Sequence, residues 1–503
     1  MNVERSKNAV LNVFFALLLQ LVSAVSGLIV PRLLIQCYGS EVNGLIASIT
    51  QFLAYISLLE AGVGGVIRAA LYKPLASNNK EKISGIIKAA KQYYGKIGVV
   101  FLIYLVILCA IFPVFAKSDF SVTFIETMIL IISIGTILQY FVSLSYISLV
   151  SADQKGRIIY LLDSITLFIN VIVTYILVSL NAPIHIVKAI SCLVFALKPI
   201  FLVLYVNYKY HLTRDCEADT TAIQQRFNGL AHHIAFFIHS NTDILILTFF
   251  TNLTTVSIYS IYRSVIVGIE KIVISVSDGC AASIGNLLAV GNKKEIDNSI
   301  DLFEFVQTFS SCILFSVTYL MLIPFLNLYT TKITDGNYIQ PIFGSILVLA
   351  EFIFCIREIY ITIALNGGKY KETQNGAIIE CIVNLVISVL LVNQYGLIGV
   401  AIGTAIAMSV RCVFDVAYLS KNLIHRSVVK FLKSITVCTF SMIVSILFCR
   451  FAFEYKVISW LDWFEKAIIS GFTVLCLSSA VYFCFYKKIF ISVCNRIIKR
   501  FKK

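Results

Sequence analysis

From residue 8 to residue 486 the chain is a succession of long apolar runs separated by short polar clusters. Lipid offers no water to satisfy a peptide group, so such a run must close its hydrogen bonds within itself, as a helix. About 20 apolar residues cross a hydrocarbon core. The pattern places fourteen spans near 8–36, 41–73, 92–115, 121–150, 157–180, 183–208, 223–251, 254–289, 299–328, 337–365, 373–393, 396–421, 430–450 and 463–486. A 59% hydrophobic content, 14% charge and a mean hydropathy of +0.89 exclude a soluble domain. The first run is too long for a signal peptide and leads directly into PRLL, so it counts as a span. The longest hydrophilic loop, YKYHLTRDCEADTTAIQQR, leaves no room for a large soluble domain. Most of the 14 cysteines sit inside apolar runs without a CxxC pair, as small buried hydrophobes rather than a disulfide or metal framework.

The net charge of +14 is explained by its placement. With the N-terminus inside, the termini and alternate loops hold 28 of the 41 Lys and Arg, against five on the opposite side: Lys117, Lys332, Arg450, Lys456 and Lys466. This excess puts both termini of a multi-pass membrane protein in the cytoplasm and removes the need for a nucleic-acid partner.

Shifting the chain by 214 residues superimposes its first half on its second. Lys80-Glu81 falls on Lys294-Glu295, Tyr146 on Tyr360, Lys155 on Lys369, and Asn170 on Asn384. The spacing of six successive spans is retained from about residue 10 to 205. An even number of spans makes the repeat parallel, which is the arrangement of two rocking lobes. The expected fold is therefore all-α and polytopic. It has an N-terminal six-helix lobe (1–208), a cytoplasmic linker (209–222), a C-terminal six-helix lobe (223–421), and two additional helices with a basic tail (422–503).

Eight cations remain inside spans: Arg32, Arg68, Lys188, Lys198, Arg263, Lys271, Arg357 and Arg411. In-span carboxylates are at least as numerous: Glu60, Glu126, Asp163, Asp243, Glu270, Asp278, Glu351, Glu358, Glu380 and Asp415. A charge at the bilayer centre costs about 2.5 kcal/mol or more, so such groups face water or each other. Arg263, Glu270 and Lys271, at i, i+7 and i+8, share one face of the eighth span. Facing a cleft between lobes, they would be hydrated and open to an anion. Each cation also has a plain alternative. Arg411 and Asp415 are spaced for an intrahelical pair. Arg357 adjoins Glu358 and follows Glu351 by six positions. Arg68, Lys188 and Arg32 lie near span ends, within snorkelling reach. Lys198 stands beside Pro199, at a kink. On the seventh span Asn228, His232, His239 and Asp243 share a face, suited to a polar contact or an ion relay rather than a metal site.

Three stretches, CYGSEVNGLIASITQFLAYISLLEAGVGG, ALYKPLASNNKEKI and NQYGLIGVAIGTAIA, resemble the Wzx-type polysaccharide-flippase branch of the multidrug/oligosaccharidyl-lipid/polysaccharide exporter superfamily. The resemblance covers nearly the whole chain. It implies a two-lobed helical transporter that works by alternating access, with no enzymatic step. It also implies a cargo of undecaprenyl-pyrophosphate-linked oligosaccharide for capsule, O-antigen or exopolysaccharide.

On that expectation the head group meets Arg263 and Lys271, helped by Arg32, Arg68 and Arg357, with Lys198 and Arg411 as further candidates. Asp243, Glu60, Glu270 and His239 are candidates for H+ or Na+ coupling; no other cofactor and no metal are called for. Membrane lipids, a polysaccharide polymerase and other assembly proteins are the expected partners. The rivals are a cation-coupled multidrug exporter of the same fold, a membrane glycosyltransferase or polymerase, and a scaffold protein. The short external loops disfavour the enzymes, and the buried charges disfavour the scaffold.

Overall fold

The computed structural model of the protein describes residues 2–60, 62–213, 216–219, 230–290 and 293–501. It is all-helical. The helices are α1 (Asn2–Tyr38), α2 (Ser40–Ala54), α3 (Val63–Ala76), α4 (Lys80–Phe115), α5 (Val122–Leu138), α6 (Leu144–Ala152), α7 (Gly156–Ser179) and α8 (Ile184–Tyr210). They continue with α9 (Leu230–Phe250), α10 (Leu253–Val290), α11 (Lys293–Tyr329), α12 (Pro341–Asn366), α13 (Tyr370–Tyr395), α14 (Leu397–Asn422), α15 (Val428–Ala452) and α16 (Trp460–Phe501).

Helix starts follow local chemistry. Asn79 and Ser121 cap α4 and α5 by accepting from the Lys82 and Phe124 amides, and Pro341 opens α12 where its missing N–H is not needed. Each of the fourteen expected spans finds its helix, but two are not continuous. The span at 41–73 passes through a 3-10 stretch, Tyr55–Glu60, and restarts as α3 after Gly62, whose φ of 82° suits only a residue without a side chain. The span at 121–150 contains a π-helical segment, Gln139–Ser143, between α5 and α6.

Among the described residues, twelve helical stretches are long and apolar enough to cross a membrane. Of the fourteen runs, the two outside that set are α10 and α12, both of which carry charged residues along their middle turns. Any eighteen consecutive residues of α12 include Glu351, Arg357 and Glu358. Elsewhere large apolar side chains face outward, as on α1, where Val10, Val13, Phe14, Leu17, Leu21 and Val25 are 47–66% exposed at helical spacing. An outward apolar stripe on helix after helix is a surface for acyl chains, and the protein is a multi-pass membrane protein.

The chain divides into two compact units, residues 1–261 and 262–503, with the division inside α10. In the first, α1 packs on α7, α7 and α5 on α8, and α4 on α5, around fully buried Leu45, Ile49, Ile67, Phe101, Met128 and Leu202. In the second, α14 packs on α12 and α13, and α11 on α12, α15 and α16. Gly403 permits the close approach of α13 and α14: a Cβ there would lie 2.1 Å from Ser388 Oγ. Cys312, Cys355 and Cys438 are buried free thiols that pack as small hydrophobes.

Candidate functional site

In the second unit the ionic side chains of α10, α12, α13 and α14 form a buried network. Arg263 Nη1 lies 3.0 Å from Glu270 Oε2, two turns along α10, and 2.8 Å from Glu351 Oε1 on α12. Arg357 Nη1 is 2.9 Å from Glu380 Oε2 on α13, and its Nη2 is 3.7 Å from Glu358. Arg411 Nε lies 2.8 Å from Asp415 Oδ2, one turn on, and 3.9 Å from Glu380. Glu351, Glu380, Arg411 and Asp415 are at most 3% exposed. Three guanidinium groups thus face five carboxylates. Burial penalises an uncompensated ion, so the surplus suits the network to protons or a small cation rather than to another anion. The arginines expected to meet an anion are held by carboxylates, and Lys271, next to Glu270, is exposed and outside the network.

A second cluster lies where α11 begins. Arg426, in the link from α14 to α15, reaches Asp301 Oδ1 at 2.5 Å and Glu304 Oε2 at 2.6 Å. The Tyr360 hydroxyl donates to Glu304, and Lys430 lies 3.3 Å from Asp301. Asp301 and Glu304 were missed at the sequence level, although both fall inside the run at 299–328; listing every acid in that run would have found them.

In the first unit a polar seam joins α2, α9 and the start of α10. Ser48 and Thr248 hydroxyls lie 2.7 Å apart, and Asn43 donates to Ser257 at 2.8 Å. Tyr259 donates to Asp243 Oδ2 at 2.7 Å. His239 is buried on the same helix as Asp243. Asn228 lies outside the described residues, as does the His232 side chain. Arg32 is half-buried on α1. Arg68 is half-buried on α3, where its Nη1 lies 3.6 Å from the position a Cβ on Gly64 would take.

The same unit holds a partly open cavity of about 600 Å³. Its wall is built where helices depart from α geometry. The 3-10 stretch contributes Ile56, Ser57 and Glu60, the π segment Gln139, Tyr140 and Ser143, and α8 contributes Lys188 through Pro199. Within a membrane such backbone is tolerated where it is buried in protein or lines a cavity, and π segments recur at functional sites. Glu60 is hydrogen-bonded to Tyr140, while its buried Oε2 has no hydrogen-bond partner. Lys198 Nζ pairs with Asp163 Oδ1 at 2.6 Å. Among the described residues, no ion pair or hydrogen bond engages the Lys188 ammonium. With hydroxyls from Thr50, Ser57 and Thr136 and the Gln139 amide, the cavity offers both signs of charge beside neutral donors and acceptors.

No family model matches the chain, and no curated protein matches its sequence. Among solved structures it is similar to the lipid II flippase MurJ in an inward closed conformation, with a TM-score of 0.75 and 14% identity over 95% of this chain and 100% of that one. It is also similar to an inward-facing multidrug resistance MATE family transporter of the MOP superfamily, with a TM-score of 0.62 and 14% identity over 79% and 94% of the two chains. A third similar structure is the eukaryotic MATE transporter AtDTX14, with a TM-score of 0.58 and 12% identity over 94% and 99%. The chain has the MOP-type transporter fold.

Proposed function

We propose that this protein is a transporter that flips an undecaprenyl-pyrophosphate-linked oligosaccharide from the inner to the outer leaflet of a bacterial plasma membrane by alternating access, feeding polysaccharide assembly. The observation that carries this reading is the first-unit cavity, where a 3-10 stretch, a π segment and Pro199 converge on ionic and hydroxyl-bearing side chains inside a membrane-spanning bundle. An anionic, hydroxyl-rich head group finds in this lining both cations and hydrogen-bonding partners. The likeness in fold to a lipid II flippase over 95% of this chain and 100% of that one supports the same reading.

Moving an anionic head group outward is favoured by an inside-negative potential at about 2.3 kcal/mol per charge per 100 mV. Return of the empty carrier is assigned to H+ or Na+ uptake on the carboxylate surplus around Glu270 and Glu380, with Asp243, Glu60 and His239 as further ion-handling candidates. A polysaccharide polymerase is the expected downstream partner.

Deletion of the gene tests the proposal. Lipid-linked repeat units are expected to accumulate on the cytoplasmic leaflet while surface polysaccharide is lost. Unchanged surface polysaccharide, or a deletion strain sensitised to cationic dyes and nothing else, would overturn it in favour of a multidrug exporter.

A further inference from the structure

The in-span cations differ in what they face. Arg263, Arg357 and Arg411 are each held by carboxylates within the second unit, and Lys198 is held by Asp163 in the first. Lys188 lines the first-unit cavity and has no such partner among the described residues. It belongs to a continuous face of α8, since Lys188, Ser191, Cys192, Phe195, Lys198 and Pro199 follow the three-to-four-residue spacing of one helix side and all line the cavity. An ammonium that lines a partly open cavity within a membrane-spanning bundle, without a counter-ion, is a place for an anion to complete.

The neighbouring groups define the rest of the ligand. Glu60 Oε2 is a buried acceptor without a donor, which suits a sugar hydroxyl. Gln139 supplies both a donor and an acceptor, and Thr50 a hydroxyl. Tyr140 and Phe195 provide aromatic walls for a pyranose ring. A volume of about 600 Å³ is in the range of small-molecule sites and accommodates a pyrophosphate with the sugar next to it, not a long prenyl tail.

We infer that this cavity seats the pyrophosphate of the cargo on Lys188 and its first sugar against Glu60, Gln139 and Thr50, while Arg263, Arg357 and Arg411 make no contact with cargo. The inference deepens the transport reading and rests on it. It moves the anion site from the arginines of the second unit to a lysine of the first.

The test is a binding measurement on the purified full chain in detergent, with geranyl pyrophosphate as the probe and calorimetry as the readout. Lys188→Gln is expected to weaken binding about tenfold or more, which is at least about 1.4 kcal/mol. Lys188→Arg, which keeps the charge, is expected to stay within about threefold of the native chain, and Lys271→Gln, which removes an exposed cation of the second unit, within about twofold. Where Lys188→Gln does not fold, Lys188→Arg is compared with Gln139→Leu, using a short prenyl-pyrophosphoryl hexose as a second probe. Gln139→Leu is then expected to weaken the hexose-bearing probe and leave geranyl pyrophosphate unchanged. Equal affinity in the native chain and Lys188→Gln, loss of binding in Lys271→Gln, or equal effects of Gln139→Leu on both probes would overturn the inference. Binding is read without transport, so the outcomes separate. A native chain that does not bind the probe, in a strain whose deletion accumulates lipid-linked sugar, sinks the site and spares the flippase. A chain that binds as expected without that accumulation sinks the flippase and spares the site.

Discussion

Asn43 donates from Nδ2 to Ser257 Oγ at 2.8 Å, and the two residues stand 214 positions apart. That is the offset at which the sequence repeats, so each is the other's counterpart, and the start of α2 meets the start of α10 through equivalent positions. The contact is tight because the next residue is glycine: a Cβ on Gly44 would lie 1.8 Å from the Leu253 carbonyl oxygen.

Gly44→Ala must therefore part α2 from α10. Overpacking of this sort costs about 1–3 kcal/mol, and a lower melting midpoint is expected for the purified protein in detergent. Gly27→Ala, where nothing lies within 4 Å of the added carbon, is the control and is expected to leave the midpoint unchanged or slightly raised. Equal midpoints for the two variants would refute the close approach.

Arg263→Gln and Lys271→Gln alter residues eight apart on one helix and are expected to behave differently. The first leaves Glu270 and Glu351, both nearly inaccessible, without their cation, a loss of about 3–5 kcal/mol. The second removes an exposed charge and is expected to be nearly neutral. Thermal unfolding of both variants decides the matter, and a severe effect of Lys271→Gln would contradict the separation.

Arg411→Met strands Asp415, which is fully buried, beside Glu380. The double variant Arg411→Met/Asp415→Leu removes both partners and is expected to be the more stable of the two, since an apolar pair avoids the uncompensated buried charge. Unfolding midpoints in the order native, double, single are expected; a double variant below the single would show that the pair itself is needed.

At the start of α11, Arg426→Gln is expected to destabilise by about 2 kcal/mol or more, because its guanidinium serves both Asp301 and Glu304 in a site where its side chain is 8% exposed. Lys430→Gln is expected to cost under about 1 kcal/mol, its side chain being 46% exposed. Raising the ionic strength should erase the effect of the lysine change and leave that of the arginine change.

Much of this architecture was legible from apolar runs, because a helix in lipid has no alternative way to satisfy its backbone. The pairing of Arg411 with Asp415 was equally legible, being a one-turn relation within a single helix. Pairings between helices were not. Nothing in the spacing of Glu351 says that it serves Arg263, and Arg426 reads as a loop cation until α11 and α12 are brought beside it. The breaks in the second and fourth spans also left little mark. Gly62 signals the first, but QYFVS, though more polar than the runs around it, holds no Gly or Pro to mark a change of winding. Lys188 could be placed near a span end, within reach of the interface, but only the tertiary arrangement of α2, α5 and α8 shows it lining a cavity.

The π segment has a further consequence. Positions 353–357, its counterparts 214 residues on, belong to the unbroken α-helix α12. The counterparts of Glu60, Lys188 and Asp163 are Ile274, Ile402 and Ala377, while those of Arg263, Glu351 and Arg411 are Ile49, Ile137 and Leu197. The two copies have thus parted company in winding and in ionic equipment while keeping a common span plan. The lining of the cavity has no ionic counterpart at the equivalent positions of the second half, and a protein assembled from two copies of either half would hold only one kind of chemistry.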